Sequence, residues 1–333
     1  MECVRIGTVV QKISRDGLEW RIQIKYRNRM SKIKDFLDNP VYFITSPAAK
    51  GYLDFLSDEA YLKLLYRATM GRRLDLKNPK LYNEKLQWLK LNDRKDIYHK
   101  MVDKYEVRQY IADTIGKQYL IECFGVYDSV EDIDPDALPE RFVLKCTHDS
   151  GSVEICKDRS SFDAEAAFQR LSQAMNRKYY STYREWPYKG LTPRIIAEEY
   201  LEDEEGDLKD YKIMCFNGRA EVIEVHENRF VSGREHTQTF YDRDWKRLDI
   251  VQHGLEPCTE HRDRPECLDE MIGLSEKIAK DMYHARIDWY QLKEKIYFGE
   301  ITFYDGSGFE VFSNVEDERF LGDLMKLPTD MIK

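Results

Sequence analysis

The stretch HARIDWYQLKEKIYFGEITFYDG, residues 284–306, decides the fold class, because two β-rich runs flank a polar turn. Such runs predict an antiparallel hairpin, in which successive side chains alternate between the two faces. One face carries large apolar side chains, namely Ile287, Trp289, Ile301 and Phe303. A single apolar face is typical of an antiparallel sheet that covers a core on that side.

The other face of this hairpin carries charged side chains. Pairing that is symmetric about Glu294 sets Asp288 opposite Glu300, and it also sets Arg286 opposite Thr302. Two carboxylates that face each other at about 5 Å between their Cβ atoms repel, so the pair needs a compensating cation. Mg²⁺ fits this need, since it takes carboxylate oxygens at about 2 Å and usually brings nucleotide phosphates as further ligands. Screening of the pair by Arg286 is the alternative.

A second hairpin is predicted over RFVLKCTHDSGSVEICKD, residues 141–158. Alternation along its first strand places Lys145 on a half-apolar face. The Ser-Gly-Ser turn around Gly151 offers backbone N–H groups and hydroxyls, which can surround anionic oxygens. A lysine on a strand beside such a turn predicts a phosphate site, and the alternative is an ordinary hairpin with an outward lysine.

The segment between these hairpins runs from an apolar strand into charge. It reads PRIIAEEYLED over residues 193–203, and DYKIMCFNG follows over residues 210–218. An extended segment that joins two subdomains presents backbone N–H and C=O groups to a purine edge, with a nearby carboxylate for ribose hydroxyls. Taken alone, the segment is only a strand that ends in charge.

Composition limits the classes of function. The 333 residues include 52 Lys and Arg against 61 Asp and Glu, and the net charge of −9 has the wrong sign for a general nucleic-acid binder. No apolar run approaches the roughly 18 residues that span a bilayer, and the start of the chain carries no secretion signal. Seven cysteines without a C-x-x-C pair fit reduced thiols. We therefore expect a cytoplasmic protein.

Helical spacing dominates the chain after residue 56. Ser57 caps a predicted helix that Gly71 ends, and further helices are predicted over residues 83–91 and 96–115. Beyond them, short β-rich runs alternate with helical stretches. The pattern predicts an α+β protein with antiparallel sheets, and the sequence contains neither a Walker nor a Rossmann glycine motif.

Residues 1–56 differ from the rest of the chain. Six basic side chains crowd into residues 21–34, ahead of a mixed apolar stretch. A basic arm beside amphipathic sequence predicts weak contact with an anionic membrane surface, and the alternative is a solvated charge run. The sequence does not indicate an oligomeric state.

The order of these motifs resembles the ATP-grasp superfamily, of which D-alanine:D-alanine ligase is a familiar member. The segments NPKLYNEKLQWLK, VDKYEVRQYI, REWPYKG and GEITFYDGSGF resemble more closely the TupA-like ATP-grasp family, named for teichuronopeptide biosynthesis in bacteria. The resemblance covers residues 57–308. It implies an ATP-grasp fold, in which two α+β subdomains with antiparallel sheets clasp ATP, here preceded by a mainly helical region.

The resemblance also implies roles for individual residues at the triphosphate. Lys104 and Lys145 would hold the ATP phosphates. The loop of Ser150, Gly151 and Ser152 would close over them, although it contains less glycine than in many relatives.

By the same likeness, the backbone of Glu199 and Leu201 would meet the adenine edge. The carboxylate of Asp203 or Asp210 would meet the ribose. Lys212 would contact a phosphate or the reaction intermediate.

The charged hairpin face matches the catalytic centre of the superfamily. Asp288 and Glu300 match its magnesium carboxylates, and Arg286 matches the arginine that stabilises developing negative charge. Thr302 stands where many members have an asparagine ligand, so its contact with the metal would be weaker, absent or made through water.

The implied reaction is carboxylate activation: ATP phosphorylates a carboxylate, and an amine then attacks the acylphosphate to give an amide. The substrates would be a small-molecule amine and a uronic acid or peptide unit of a bacterial surface polysaccharide. Basic and aromatic side chains are candidate substrate contacts, namely Arg184, Trp186, Arg229, Arg234 and His236.

A nucleotide-sugar glycosyltransferase is the alternative function, although the sequence has no D-x-D triplet, and a non-enzymatic nucleotide-binding protein is a third. The expected organisation has four segments: an N-terminal extension over 1–56, a helical domain over 57–140, an ATP-grasp N-subdomain over 141–201 and a C-subdomain with the magnesium site over 202–333.

Overall fold

A computed structural model describes residues 41–202, 208, 210–228 and 235–328. The predicted basic arm lies outside these residues, as do Asp203, Arg229 and Arg234 among the predicted site residues. In the part of the chain that is described, no helix combines the length and the apolar character needed to cross a membrane.

Five helices form the first part of the described chain: α1 (Tyr42–Ala49), α2 (Asp58–Met70), α3 (Tyr82–Asn92), α4 (Ile97–Val102) and α5 (Val107–Thr114). The predicted helix from Ser57 to Gly71 is confirmed as α2. The Ser57 hydroxyl accepts a hydrogen bond from the backbone N–H of Ala60 at 3.2 Å, and Gly71 ends the helix with φ of 68°.

The predicted single helix over residues 96–115 is wrong, because it divides into α4 and α5. The Asp103 carboxylate accepts hydrogen bonds from the backbone N–H groups of Tyr105 and Glu106, both at 2.9 Å, and so restarts the helix. The backbone N–H of Lys104 donates to the Thr147 carbonyl at 3.1 Å. The break therefore holds Lys104 against the end of a strand.

The smaller sheet has the strand order β1-β4-β2-β3. Its antiparallel strands are β1 (Cys123–Tyr127), β2 (Phe142–Cys146), β3 (Val153–Cys156) and β4 (Ile195–Glu199). Two helices lie between β3 and β4 in the chain, α6 (Ala164–Met175), which packs on β2 and β3, and α7 (Tyr179–Tyr183). Because β1 belongs to this sheet, the predicted boundary at residue 141 falls inside the small sheet.

The larger sheet has the strand order β10-β9-β5-β6-β7-β8. Its strands are β5 (Asp210–Phe216), β6 (Arg219–Glu227), β7 (Thr237–Asp242), β8 (Arg247–Leu248), β9 (His284–Leu292) and β10 (Lys295–Thr302). One face packs on α8 (Leu268–Ile278), where Trp289 donates its indole N–H to Ser275 at 2.8 Å. The other face carries the charged residues described below.

The β9–β10 hairpin has the predicted faces but not the predicted register throughout. Near the turn, Leu292 pairs with Lys295, since the turn has two residues and Lys293 adopts φ of 57°. A bulge between Phe298 and Ile301 restores the predicted pairing, so Arg286 lies opposite Thr302. Asp288 faces the bulge. The four predicted core residues of the hairpin are between 0% and 4% exposed.

The helical region shares the core of the large sheet through α3, whereas α1 and α2 contribute to two smaller buried clusters. Tyr82 and Leu86 of α3 belong to the same buried cluster as Ile287 and Trp289 of the large sheet. The Gln87 amide donates to the Gly308 carbonyl at 2.6 Å. The last described helix, α9 (Val315–Leu324), packs on α3. The helices therefore brace the loop that follows β10.

Candidate active site

A buried carboxylate at the centre of the large sheet holds two cations. Asp288 and Lys212 are paired on β9 and β5, and Nζ of the lysine lies 2.5 Å from Oδ2. Arg286 donates from Nε and Nη2 to the two oxygens of Asp288 at 2.8 and 2.9 Å. Burial opposes ionisation of Asp288, but Arg286 and Lys212 outweigh it and lower the pKa of this carboxyl.

Lys212 is held between two carboxylates. Its Nζ also lies 3.0 Å from Oδ2 of Asp210. Burial and the nearby Arg286 act to lower the pKa of Lys212, whereas Asp210 and Asp288 raise it, and the net shift is upward. Burial raises the pKa of Asp210. Lys212 is therefore a fixed cation on the face of the sheet.

Arg286 has a second carboxylate partner beyond the strands. Its Nη1 bonds the carboxylate of Asp305, which is 1% exposed. Asp305 lies in a short 3₁₀ turn, Asp305–Gly308. Burial works against the charged guanidinium, but Asp288 and Asp305 raise its pKa further. A planar guanidinium fixed on two sides is preorganised to face developing negative charge.

Glu300 is the accessible carboxylate of the predicted metal pair. Its side chain is 38% exposed, and its Oε1 lies 3.6 Å from Nη2 of Arg286. The Thr302 hydroxyl is 3.5 Å from the same oxygen and 3.3 Å from Nη2 of Arg286. These are long contacts, so Glu300 keeps lone pairs available for a cation.

The residues present fit a nucleotide-bound Mg²⁺ rather than an all-protein metal site. Across the described ranges, no group of three or more His, Cys, Asp or Glu side chains is arranged to hold a metal ion. Mg²⁺ is commonly held by one or two carboxylates plus substrate phosphates and water. Glu300, with Asp288 across the ladder, supplies such a pair.

Lys145 lies on the small sheet and points away from its core. Its Nζ contacts Oε2 of Glu198 at 2.9 Å, and Nη1 of Arg108 lies 3.1 Å from the other oxygen of that carboxylate. Lys145 keeps 19% of its side chain exposed. One carboxylate thus positions two cations, which leaves an excess of positive charge beside the Ser-Gly-Ser loop.

The Ser-Gly-Ser loop joins β2 to β3 as predicted. Gly151 adopts φ of 94°, and a Cβ built on it would meet no atom within 4 Å. The hydroxyl of Ser152 donates to the Asp149 carboxylate, and Nζ of Lys104 donates to the Asp149 carbonyl. Ser150 and Gly151 are exposed. The loop is therefore anchored at one side and open at its tip.

The linker after β4 touches both sheets. The backbone N–H of Glu199 donates to the Glu122 carbonyl at 3.0 Å. Leu201 is buried in a small cluster with Ile121 and with Tyr297 of β10. The predicted adenine-binding segment thus runs along the junction of the two sheets.

Two partly buried tyrosines, Tyr188 and Tyr290, lie near charged groups of both sheets. Burial raises the pKa of Tyr290 well above its usual value. Nearby negative charges raise it further, and they come from both the large sheet (Asp210, Glu300 and Asp288) and the small sheet (Glu198). Burial also raises the pKa of Tyr188. Glu300 and the loop residue Asp149 are among the charged groups that raise it further. Asp149, in the loop between β2 and β3, and Glu300 of β10 therefore lie near the same aromatic side chain.

Two predicted substrate residues are placed elsewhere. Arg184 is 2% exposed, bonds Asp54 at 2.9 Å and stacks on Tyr61, so the helical region occupies it fully. Trp186 packs on Arg94 and His99 of that region.

His236, by contrast, contributes to the charged face of the large sheet. Its Nε2 lies 2.7 Å from Nδ1 of His226 on β6. Among the predicted substrate residues that the structure describes, it is the one that joins this face.

Sequence reasoning missed Glu224, a carboxylate on β6 that is 2% exposed and pairs across the ladder with Lys212. The Asn217-Gly218 turn alone would set Lys212 opposite Ile223, and a bulge between Met214 and Cys215 places Glu224 there instead. Asp305 and Glu198 were also missed, and both hold cations of the predicted site. Neither has a local sequence signal for that role.

Comparison with known proteins gives a family. The family model described as TupA-like ATPgrasp matches residues 84–326, which is more than half of the chain. Among curated proteins, none matches this chain.

Similar solved structures are ligases. The chain is 14% identical to the D-alanine–D-alanine ligase from Bacillus anthracis complexed with ATP, covering 61% of this chain and 55% of that chain at a TM-score of 0.37. It is 12% identical to the corresponding ligase from Helicobacter pylori, covering 74% and 69% at a TM-score of 0.39. It is 10% identical to the ATP-grasp ligase PsnB complexed with a phosphomimetic variant of its minimal precursor, Mg and ADP. That match covers 83% of this chain and 71% of that chain at a TM-score of 0.40. The chain thus spans little more than half the length of the Bacillus anthracis ligase.

Proposed function

Because this chain belongs to the TupA-like ATP-grasp family, we propose that it is an ATP-dependent carboxylate–amine ligase that uses Mg²⁺. The observation that supports the proposal best is that Asp288 and Glu300 of the large sheet and Glu198, the partner of Lys145 on the small sheet, all raise the pKa of Tyr290. Phosphoryl transfer needs positioning and charge stabilisation rather than a protein nucleophile. The charged side chains near Tyr290 can supply both.

Each charged residue has a role in this proposal. Lys145, Lys104 and the loop of Ser150 to Ser152 bind the triphosphate. Asp288 and Glu300 would hold the Mg²⁺, with Thr302 beside them, and the metal would supply charge neutralisation at the phosphates. Arg286 faces the oxyanion that forms when the amine attacks the acyl carbon.

The remaining predicted contacts complete the nucleotide site in this proposal. The backbone of Glu199 and Leu201 meets the adenine edge. Asp203 or Asp210 meets the ribose, and the burial of Asp210 beside Lys212 favours Asp203 for that contact. Lys212 acts on the sheet face as a fixed positive charge near Asp288.

We further propose a carboxylate substrate from a bacterial surface polysaccharide, such as a uronic acid or a peptide unit. Its support is the name of the family together with basic residues around β6 and β7, including Arg229 and Arg234. We also propose a cytoplasmic location and membrane contact through the basic arm over residues 21–34. Both proposals are supported by the sequence pattern alone. Liposome binding that is unchanged by deletion of residues 1–29 would refute the membrane contact.

The test is an ATP-dependent trap for the acylphosphate. The purified protein is incubated with Mg²⁺, ATP, hydroxylamine and single carboxylates such as glucuronate, galacturonate, UDP-glucuronate and glutamate. The proposal predicts ADP release and a hydroxamate with at least one carboxylate, and no such product with Arg286→Ala. Sugar transfer from a UDP-sugar without ATP would instead establish the glycosyltransferase.

A further inference from the structure

A cluster of buried polar side chains continues the charged face of the large sheet beyond Arg286. We refer to it as the acceptor cluster, and its members are Glu224, Gln238, Gln252, Asp305 and Glu310. Four of them are between 1% and 7% exposed, and Glu310 is intermediate. The cluster joins β6 and β7 to the segments that follow β8 and β10.

The hydrogen bonds of the cluster run in a fixed direction. Nε2 of Gln238 donates to Oε1 of Glu224 and to Oε1 of Gln252, both at 2.7 Å. The Gln252 amide in turn donates to the carboxylate of Glu310. Because an ionised carboxylate only accepts hydrogen bonds, both amides must point their N–H groups along this chain. The amide donors of the cluster are thereby used.

Two buried oxygens of the cluster receive no donor, namely Oε2 of Glu224 and Oε1 of Gln238. Asp305 and Glu310 share a hydrogen bond, and burial raises the pKa of Glu310 well above its usual value, so one proton lies between these two carboxyls. Buried polar atoms almost always find a partner, and an anionic oxygen without one is especially unfavourable. The cluster therefore has more acceptors than donors.

The excess lies beside the proposed reaction centre. Asp305 bonds Arg286, and Glu224 pairs across the ladder with Lys212. Arg286 and Lys212 both lower the pKa of Glu224, together with its hydrogen bond to His226 and against the effect of burial. A ligand bound at the cluster would therefore lie beside the acyl carbon, whose oxyanion Arg286 faces.

We propose that the acceptor cluster binds the ammonium group of the amine substrate, an inference that rests on the proposed ligase function. An ammonium carries one positive charge and three N–H donors, which suit a carboxylate oxygen and an amide oxygen that lack a donor. A bare metal ion fits less well, since within the described residues no three His, Cys, Asp or Glu side chains are grouped to hold one.

The chemistry of amide formation accounts for the position of the cluster. The ammonium must lose one proton, which passes to solvent water, before its nitrogen can attack. Glu224 holds the group beside the acyl carbon, and its own hydrogen bond to His226 keeps the carboxylate ionised. The C–N bond then forms, the bond from carbon to the phosphate oxygen breaks, and the departing phosphate takes the second proton of the nitrogen.

Glu224→Gln separates a binding role from a structural one. The variant removes the charge but keeps the shape, and its new N–H group can donate to the acceptors nearby. We therefore expect resistance to urea that is equal to or higher than that of the wild type. Glu227→Gln is the matched control, because Glu227 lies on the same strand and bonds Arg262 on the opposite face. If Glu224→Gln does not fold, Glu310→Gln removes an acceptor at the other end of the cluster.

The first readout is binding of ammonium ion to the full chain. Ammonium chloride at about 0.2 M should raise the melting temperature by about 2 °C relative to sodium or potassium chloride at equal ionic strength. The shift should be lost in Glu224→Gln and kept in Glu227→Gln. No ammonium-specific shift, an equal shift with potassium, or a shift that Glu224→Gln retains would overturn the proposal.

The second readout is the hydroxamate assay, with ammonium chloride added as a competing amine. Hydroxylamine is mostly neutral near pH 7.5, so it needs no cation site. Glu224→Gln should raise the KM for ammonium about tenfold or more and change that for hydroxylamine less than about twofold. Equal changes in the KM values for ammonium and hydroxylamine would overturn the proposed ammonium site. An ammonium-specific shift of the melting temperature, without ADP release in the presence of any tested carboxylate, would overturn the ligase function alone.

Discussion

Lys212 and Asp288 face each other on neighbouring strands, and Nζ of the lysine lies 2.5 Å from Oδ2 of the aspartate. The same aspartate accepts two hydrogen bonds from Arg286. One buried carboxylate therefore contacts two cations, in addition to the metal-binding role proposed for it, and each cation has one further carboxylate partner. Asp288 and Glu300, although proposed to bind the same ion, should respond differently to mutation.

Replacing Asp288 with asparagine should destabilise the fold. Lys212 and Arg286 would lose a buried counter-charge, and removing one partner of a buried ion pair costs about 3–5 kcal/mol. We expect the free energy of unfolding, measured by urea denaturation, to fall by about 3 kcal/mol. Glu300→Gln is the control, since its partly exposed carboxylate should change that value by less than about 1 kcal/mol. Equal losses in both variants would contradict this division of roles.

Lys145 distinguishes a phosphate site from an ordinary hairpin. If the lysine binds the triphosphate, Lys145→Ala should weaken binding of a non-hydrolysable ATP analogue about tenfold to a hundredfold, as calorimetry can measure. Lys63→Ala, which removes an exposed lysine of α2, should leave the affinity unchanged. A variant that loses stability but keeps full affinity would show that Lys145 serves only to balance Glu198.

His284 should make stability depend on pH. It is 2% exposed, its Nδ1 donates to the Phe303 carbonyl at 2.9 Å, and its Nε2 accepts from the Tyr82 hydroxyl at 3.0 Å. Burial lowers its pKa from 6.5 to about 4, so between these values the unfolded chain binds a proton that the folded chain does not. Stability should therefore fall as the pH is lowered through this range, by up to about 3 kcal/mol from this residue.

The measurement is the slope of the unfolding free energy against pH, between about pH 4 and pH 6.5, in the wild type and in His284→Gln. His284→Gln keeps a donor and an acceptor but does not titrate, so its slope should be shallower than that of the wild type. Identical slopes in the two proteins would show that other groups cause the acid sensitivity.

The sequence predicts those elements that local patterns determine. The cap at Ser57, the αL residue Gly71 and the apolar face of the β9–β10 hairpin are all local, and all are confirmed. The break between α4 and α5 is not, because the bond from Lys104 to Thr147 comes from a strand more than forty residues away in the chain. The bulge opposite Asp288 lies at a glycine within a strand, Gly299, which was a usable signal.

The candidate site is predictable only in part for the same reason. Lys145, Arg286, Asp288 and Glu300 stand in motifs with recognisable spacing. In the structure Asp288, Glu300 and the Lys145 partner Glu198 all act on Tyr290. The groups that hold those residues in place come from distant segments. Gln252 and Glu310, for example, are 58 residues apart and meet only in the folded chain. Arg184 is the opposite case. It stands in a recognisable motif, but its guanidinium bonds Asp54 and the Leu53 carbonyl in the helical region.

The most direct test of the central claim is calorimetric titration with a non-hydrolysable ATP analogue, with and without Mg²⁺, on the wild type and on Glu300→Gln. We expect binding by the wild type that requires Mg²⁺ and is weakened at least about tenfold in the variant, with no binding of UDP-sugars. Binding that is indifferent to both Mg²⁺ and Glu300, or binding of UDP-sugars alone, would contradict the proposed ATP–magnesium site.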